Sequence, residues 1–395
     1  MQTQRQLFLQ HMAQTSSIPI GLEIERAEGC YLYDADGNKW LDLIAGIGVS
    51  VLGHRHPEII KAIYIQAEKY LHLMVYGEYI QSPQVQYAKA LVDTLPERLN
   101  SVYFTNSGTE ATEGAMKLAK RVTERTQFIS YRNAYHGSSQ GALSLAGDDW
   151  LQQEFRPLLP DVLRFDNGNF EQLNQITERT AAVFIEPIQS EAGGVISSKA
   201  YIQALRNRCT EVGALLVFDE IQNGFGRTGS LWAFEQYDVV PDILLLGKAI
   251  GGGMPLGCFI ADQKLMIQLS ENPVLGHITT FGGHPMSCAT GLAMFKHFLA
   301  NSYMEEVPAK EKLFRKLLET HPKVVGLNGK GLLLALDVGS FENVQKIIAY
   351  GLKNGLVTDW FLFNSQSVRI APPLIITEDE IREACRILVE ALETL

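Results

Sequence analysis

Four short runs in this chain are apolar on both faces, and each ends in a chemically pointed group. They are SVYFTNSG (101–108), AAVFIEP (181–187), ALLVFDE (214–220) and DILLLGK (242–248). Helical stretches such as 56–71, 110–125 and 198–212 separate them. Runs without polar alternation, spaced by helices, predict a parallel sheet covered on both sides. The stretch GCYLYDADGNKWLDL (29–43) does alternate, around Asp36-Gly37, and reads as a β-hairpin. From about residue 290 the chain is mostly helical, with GLLLALDVG (331–339) and VRIAPP (368–373) as candidate strands. The expected architecture is an α/β fold with a large domain over 46–289. A smaller α+β domain is expected from 1–45 and 290–395.

With 395 residues the chain can form two domains. There is no internal repeat and no low-complexity segment. A net charge of −10 argues against a nucleic-acid partner, which needs a clustered basic excess. No run approaches the roughly 18 apolar residues of a membrane span. Five scattered cysteines without a C-x-x-C pair fit reduced thiols and a cytoplasmic location. The first residues lack the apolar core of a secretory signal. They have no acid before Glu23 but only one Arg, a poor match to a transit peptide.

Ligands in open α/β sheets bind beyond the carboxyl ends of the strands. Here those ends carry Asn106-Ser107-Gly108-Thr109, Glu186-Pro187, Asp219-Glu220 and Lys248. Taken alone, Lys248 reads either as a lysine snorkelling from a strand end or as a desolvated amine, nucleophilic toward carbonyl groups. A phosphate-binding loop is excluded, because the required glycine position holds Asp242. Neither GGGMPLG nor GIGVSVLG fits the dinucleotide fingerprint. Asp219 ends an apolar strand, so it is either an ion-paired cap or the partner of a protonated ring nitrogen. Ser107 and Glu110 match a capping box, and the same helix start offers free N–H groups to a phosphate beside Gly108. Tyr135 in NAYHG is a core aromatic or a ring platform. His54 and His56 lack a third ligand, so we expect a structural turn before Pro57 and no metal. An amine, a ring-nitrogen partner, a phosphate site and a stacking aromatic are together the needs of pyridoxal phosphate.

At these residues the sequence resembles the class III aminotransferases of fold type I, which include ornithine, acetylornithine and other ω-amino-acid aminotransferases. The resemblance runs from about residue 20 to 390. It is carried by FDEIQNGFGRTG (218–229) and LGKAIGGGMPLG (246–257), with YFTNSGTEATEGAMKLA, EPIQSEAGG, TTFGGHP and VRIAPPL in the expected order. It implies a mostly parallel seven-stranded sheet and an obligate homodimer. It implies that Lys248 forms the Schiff base and then shuttles the proton, and that Asp219 partners the pyridinium. Gln222 would contact the cofactor 3′-oxygen, Gly108 and Thr109 the phosphate, and Tyr135 would stack on the ring. Thr280 would reach the phosphate from the neighbouring subunit. Arg369 would grip the α-carboxylate of glutamate or 2-oxoglutarate, and Glu191 would pair with Arg369 when an ω-amino donor is bound. Ser138 and Tyr76 complete the expected substrate contacts.

Two positions depart from the ornithine and acetylornithine pattern. Ser138 stands where many members carry an Arg for the donor's distal carboxylate. Ile47 stands where ornithine-type enzymes carry a Tyr. The expected activity is ping-pong transfer of an ω-amine to 2-oxoglutarate. The alternatives are an ω-amino-acid or diamine transaminase using pyruvate or another acceptor, an aminomutase or decarboxylase, and a non-catalytic binding protein of the same fold. Gly251 to Gly253 are expected to let backbone pass close to the cofactor and the dimer partner.

Overall fold

Burial on both faces decides which runs become strands. The computed structural model describes residues 2–395. In it the four runs form Ser101–Thr105, Thr180–Ile185, Leu215–Asp219 and Ile243–Leu246. Three more strands join them: Gln127–Tyr131, Val162–Phe165 and Gly257–Ala261. In space the order is 101–105, 257–261, 243–246, 215–219, 180–185, 127–131 and 162–165. Every neighbouring pair is parallel except those made by Gly257–Ala261, which runs against both of its neighbours. The mostly parallel seven-stranded sheet is therefore present. Alternate residues feed two separate cores. Ile243 and Leu245 face one side with Val217 and Phe259, whereas Leu244 and Leu246 face the other with Leu216, Phe218 and Ile260.

Helix Gly108–Thr123 covers the first side through Ala111, Ala115, Met116, Leu118 and Ala119. Gly114 lets it approach closely, since a Cβ there would lie 2.3 Å from the Phe259 ring. Helix Lys199–Val212 covers the other side through Tyr201, Ile202, Leu205 and Cys209. The helices at 57–67, 108–123 and 199–212 match the expected stretches to within a few residues.

The chain ends meet in smaller sheets. The expected hairpin pairs Tyr31–Tyr33 with Lys39–Asp42, and Leu356–Val357 adds to Lys39–Asp42 in parallel. A second four-stranded sheet contains Gly326–Lys330, Leu333–Asp337, Asn364–Ile370 and Trp360–Phe361. The strand around VRIAPP stops at Ile370, before Pro372 and Pro373, which have no N–H to give a ladder. Among the described residues no helix is long and apolar enough to cross a membrane.

The glycine run after Lys248 serves the chain's own packing. Lys248–Gly251 is a single 3₁₀ turn, and helix Pro285–Leu299 packs against it. A Cβ on Gly252 would lie 2.7 Å from the Thr290 carbonyl oxygen, and Gly252 has φ 58°. Gly253 has φ 95° but open space around it. Within the chain, the close approach is made by Gly252 toward helix Pro285–Leu299. Either residue as Ala costs about 1–2 kcal/mol of left-handed backbone strain. Gly252→Ala adds a clash worth about 1–3 kcal/mol. Urea unfolding should find Gly252→Ala clearly the more damaging; equal losses would contradict this packing.

Candidate active site

Lys248 follows the Ile243–Leu246 strand across Gly247, which is closely packed against Ile221 and the Gly108 backbone. A Cβ on Gly247 would sit 3.0 Å from Ile221 and 3.3 Å from the Gly108 Cα. Lys248 itself has φ 49°, a left-handed conformation unusual for a side-chain-bearing residue and typical of sites that hold strain. Loss of water around its amine is the largest influence on its pKa and lowers it. Asp219, Glu191 and Glu186 oppose that shift without cancelling it. Lowering favours the neutral, nucleophilic amine.

A cavity of about 240 Å³ is lined by Gly108, Thr109, Tyr135, Ser138, Asp219, Gln222 and Lys248 together. These come from four separate stretches of sequence, brought to one edge because their strands run in parallel. Glu191 and Arg369 adjoin it: Gln222 Nε2 donates to Glu191 Oε1 at 2.9 Å. Arg369 meets Glu191 end-on, Nη1 to Oε1 at 3.2 Å and Nη2 to Oε2 at 3.1 Å. Both are 3% exposed. Burial raises the Glu191 pKa, but the Arg369 charge outweighs it and holds the carboxyl below its usual range. Two expected residues lie elsewhere within one chain. Tyr76 lines a second cavity of about 260 Å³ with Thr279 and Phe104, and Thr280 is exposed on the surface.

Asp219 has a partner that sequence reading overlooked. Its Oδ2 lies 2.7 Å from His136 Nδ1, and its Oδ1 accepts the Ile221 N–H at 2.9 Å. His136 is buried, and burial disfavours its charged ring, but the hydrogen bond and charge of Asp219 outweigh this and raise its pKa. Its Nε2 has no hydrogen-bond partner among the described residues. The signal was present in NAYHG, one residue past Tyr135, but the carboxylate that gives it meaning is 83 positions away. Glu186 was noticed only as a strand end. It lines the same cavity, accepts the Tyr135 and Ser190 N–H groups, and is raised in pKa by burial. Glu220 turns the other way. It is fully buried, accepts the N–H groups of Ala233 and Phe234, and is pushed up to about 8 by burial.

The helix start differs in detail from the expected capping box. Ser107 Oγ accepts the Glu110 N–H, but Glu110 reaches past Ser107 to the Asn106 N–H at 2.8 Å. Only half of the reciprocal motif forms. The N–H groups of Gly108 and Thr109, at the first two helical positions, have no carbonyl one turn back to bond. The Thr109 hydroxyl is engaged, 2.6 Å from Ser139 Oγ, and Ser139 donates to Glu113 Oε1 at 2.6 Å. The proton between the two hydroxyls is therefore Thr109's. Tyr135 Oη and Ser138 Oγ lie 2.8 Å apart.

His54 Nε2 pairs with Asp42 at 2.8 Å, and His56 caps helix Pro57–Ala67 by accepting the Glu58 N–H. Ile47 belongs to a left-handed turn, with φ 51°, 63°, 60° and 76° from Ala45 to Gly48. That turn packs against Lys248–Gly251.

The profile of the family described as "Aminotransferase class-III" matches residues 12–392. The chain belongs to the class III aminotransferases. Its relatives include an acetylornithine aminotransferase of Methanopyrus kandleri, 37% identical, with the match covering 97% of this chain and 96% of that protein. A putrescine aminotransferase of Pectobacterium atrosepticum is also 37% identical, over 92% of this chain and 80% of its own length. Among solved structures, the ornithine aminotransferase of Toxoplasma gondii superposes with a TM-score of 0.90 at 27% identity, covering 98% and 92% of the two chains. Class III aminotransferases are pyridoxal phosphate enzymes, so this chain is a pyridoxal phosphate-dependent transaminase. A non-catalytic role is thereby set aside. The residues present fit this cofactor. One small cavity joins unbonded helix-start N–H groups, a buried carboxylate and an amine of lowered pKa. The close seat of Gly137, where a Cβ would lie 2.3 Å from Thr109 Oγ1, keeps that space narrow.

The His136–Asp219 pair makes stability pH-dependent. Between the ordinary histidine value of 6.5 and its raised value in the fold, the folded chain holds the extra proton. Stability therefore falls as pH rises through that window. Glu186 and Glu220, raised by burial, add to the decline with the same sign, so His136→Phe should make it shallower in urea unfolding of the cofactor-free protein without abolishing it. Parallel pH profiles for variant and wild type would contradict the pairing.

Proposed function

We propose that the enzyme moves the ω-amine of a small amino acid or diamine to a 2-oxo acid in two half-reactions, with Lys248 as the proton carrier. The observation that carries this reading is the placement of Lys248, Asp219 and the helix start at 108 around one cavity, with the Glu191–Arg369 pair at its border. Pyridoxal phosphate supplies an aldehyde for the amino group and an electron-poor ring that draws charge from the carbon losing its proton. Asp219, held by His136 and the Ile221 N–H, would pair with the ring nitrogen and favour its protonated form. The N–H groups of Gly108 and Thr109 would hold the phosphate at the positive end of the helix. Tyr135 would hold the ring within the cavity it lines, and Gln222, which donates to Glu191, would contact the ring oxygen. Lys248 would act as general base and acid, taking the proton from the substrate carbon and giving it back.

Arg369 serves as the anchor for an α-carboxylate, and 2-oxoglutarate is the proposed acceptor, with pyruvate the alternative. Glu191 covers that charge while the donor is bound. The Glu191–Arg369 pair suits exchange between two differently charged substrates, which disfavours an aminomutase. On the donor side the Tyr135–Ser138 hydroxyl pair offers no positive charge for a distal carboxylate. That observation favours a donor without one, and keeps a diamine beside ornithine and acetylornithine.

A homodimer is part of this reading, with Thr280 of each subunit reaching the phosphate of the other. Thr280 sits among exposed apolar side chains, including Ile278 and Phe281, and Ile80 is 96% exposed. A second copy covers such a surface at least expense. Residues 46–289 form the cofactor domain, and 1–45 with 290–395 the smaller one, consistent with the ladder joining Lys39–Asp42 to Leu356–Val357. Five free, buried thiols are consistent with the cytoplasm.

The test is a donor screen on the holoenzyme with ornithine, acetylornithine, lysine, 4-aminobutyrate, β-alanine and putrescine. A true donor should change the cofactor absorbance, and 2-oxoglutarate should restore it; no change with any amine would overturn the reading. Ser138→Arg should lower the KM for acetylornithine by about tenfold, the effect of one charge-assisted contact. An unchanged KM would remove Ser138 from the donor end.

A further inference from the structure

Arg369 is surrounded by more negative charge than one exchanging partner requires. Glu191 holds its outer fork, Nη1 and Nη2, at 3.2 and 3.1 Å. Asp359 takes a different edge: Arg369 Nε donates to Asp359 Oδ1 at 2.6 Å. Arg369 Nη2 also donates to the Trp360 carbonyl at 3.0 Å, and the guanidinium carbon lies 4.3 Å from the centre of the Phe361 ring. A guanidinium has five N–H donors on fixed edges, so these contacts do not compete.

The two carboxylates are also anchored differently. Asp359 is tied to the arginine's own backbone, since the Arg369 N–H donates to the Asp359 carbonyl at 2.9 Å. The neighbouring Thr358 hydroxyl donates to the Arg369 carbonyl at 2.5 Å. Glu191 comes from the far side of the cavity, after the Thr180–Ile185 strand, and accepts from Gln222 and the Leu362 N–H as well. Departure of Glu191 from the fork leaves the contacts to Asp359, Trp360 and Phe361 in place.

We infer that Asp359 is a positioning residue that keeps Arg369 aimed into the cavity when Glu191 gives way to a substrate carboxylate. This inference rests on the reading of Arg369 as the carboxylate anchor. It assigns the acid pair two tasks: Glu191 exchanges, Asp359 stays. Without the second carboxylate the freed guanidinium would be held only by the Trp360 carbonyl and the Phe361 ring, and each binding event would have to order it again. The negative charge of Asp359 also tempers the pull of Arg369 on the incoming carboxylate, so the acceptor product can leave.

The measurement is the two half-reactions of the holoenzyme, followed separately by cofactor absorbance, for Asp359→Ala, Asp359→Asn and Arg369→Gln. Asparagine keeps an oxygen for Nε and loses the charge; alanine loses both. Asp359→Ala should raise the KM for 2-oxoglutarate by about tenfold. The donor half-reaction should change much less, and Asp359→Asn should restore the acceptor KM to near or below the wild-type value. An acceptor KM unchanged in Asp359→Ala, an equal loss in both half-reactions, or no rescue by asparagine would overturn the inference. Melting temperatures of the two variants separate these results from a folding defect, and Asp359→Ser replaces the alanine variant if that one does not fold. Arg369→Gln separates the two levels. If it leaves the acceptor KM unchanged, the anchor reading itself fails. If it raises the KM and Asp359→Ala does not, only the positioning role fails.

Discussion

The cost of holding charge away from water at the carboxyl edge of one sheet shapes this molecule. Strands buried on both faces deliver Lys248, Asp219 and Glu186 to that edge, and none of these side chains can be left there unpartnered without large expense. The chain answers each case differently. Asp219 is given His136 and a backbone N–H. Glu186 is given two backbone N–H groups and a raised pKa. Lys248 is given neighbouring carboxylates too weak to offset its desolvation, so its amine is shifted toward the neutral form that chemistry with carbonyl groups needs. A residue that looks misplaced at the end of an apolar strand is thereby made reactive by its position.

The same economy links the two parts of the chain. Glu191 follows a strand of the central sheet, while Arg369 belongs to the antiparallel sheet near the C-terminus. Their end-on contact spans 178 positions of sequence. It forms beside the cavity, bridged to Gln222. A buried ion pair is weak evidence for stability, because desolvation consumes most of the Coulombic gain. On the proposed reading its value lies in exchange: a substrate carboxylate would replace Glu191 with little change in the charge around Arg369. The backbone around Lys248 is correspondingly fixed, by Gly252 against helix Pro285–Leu299 and by the left-handed turn at Ala45–Gly48.

Much of this was legible in sequence because it depends on local patterns. Apolar runs without alternation gave the four central strands, and the residues ending them pointed to the cavity. The three other strands were harder to see. Gln127–Tyr131 is broken by the polar Gln127 and Ser130, Val162–Phe165 carries Arg164, and Gly257–Ala261 begins inside a glycine-rich segment. The site was legible where one residue type carries the chemistry, as with Lys248 and Asp219. It was not where meaning depends on a distant partner. His136 needs Asp219 to be more than a core histidine, and Asp359 needs the register of the Asn364–Ile370 strand to bring Arg369 beside it. Glu110 shows a limit of motif reading, since its carboxylate passes over the residue the motif assigns and caps Asn106. Tyr76 and Thr280 do not line the cavity of Lys248 within one chain, and the role proposed for Thr280 rests on a second copy of the chain.

The role of Lys248 is tested most directly by the donor half-reaction of Lys248→Ala, measured in a single turnover with the cofactor bound. General acid–base catalysis contributes about 10²–10⁴-fold, so the rate should fall by at least that factor. A small primary amine added to the solution should recover part of it, by carrying the proton that Lys248 no longer moves. A variant that binds the cofactor and turns over at close to the wild-type rate would contradict the mechanism.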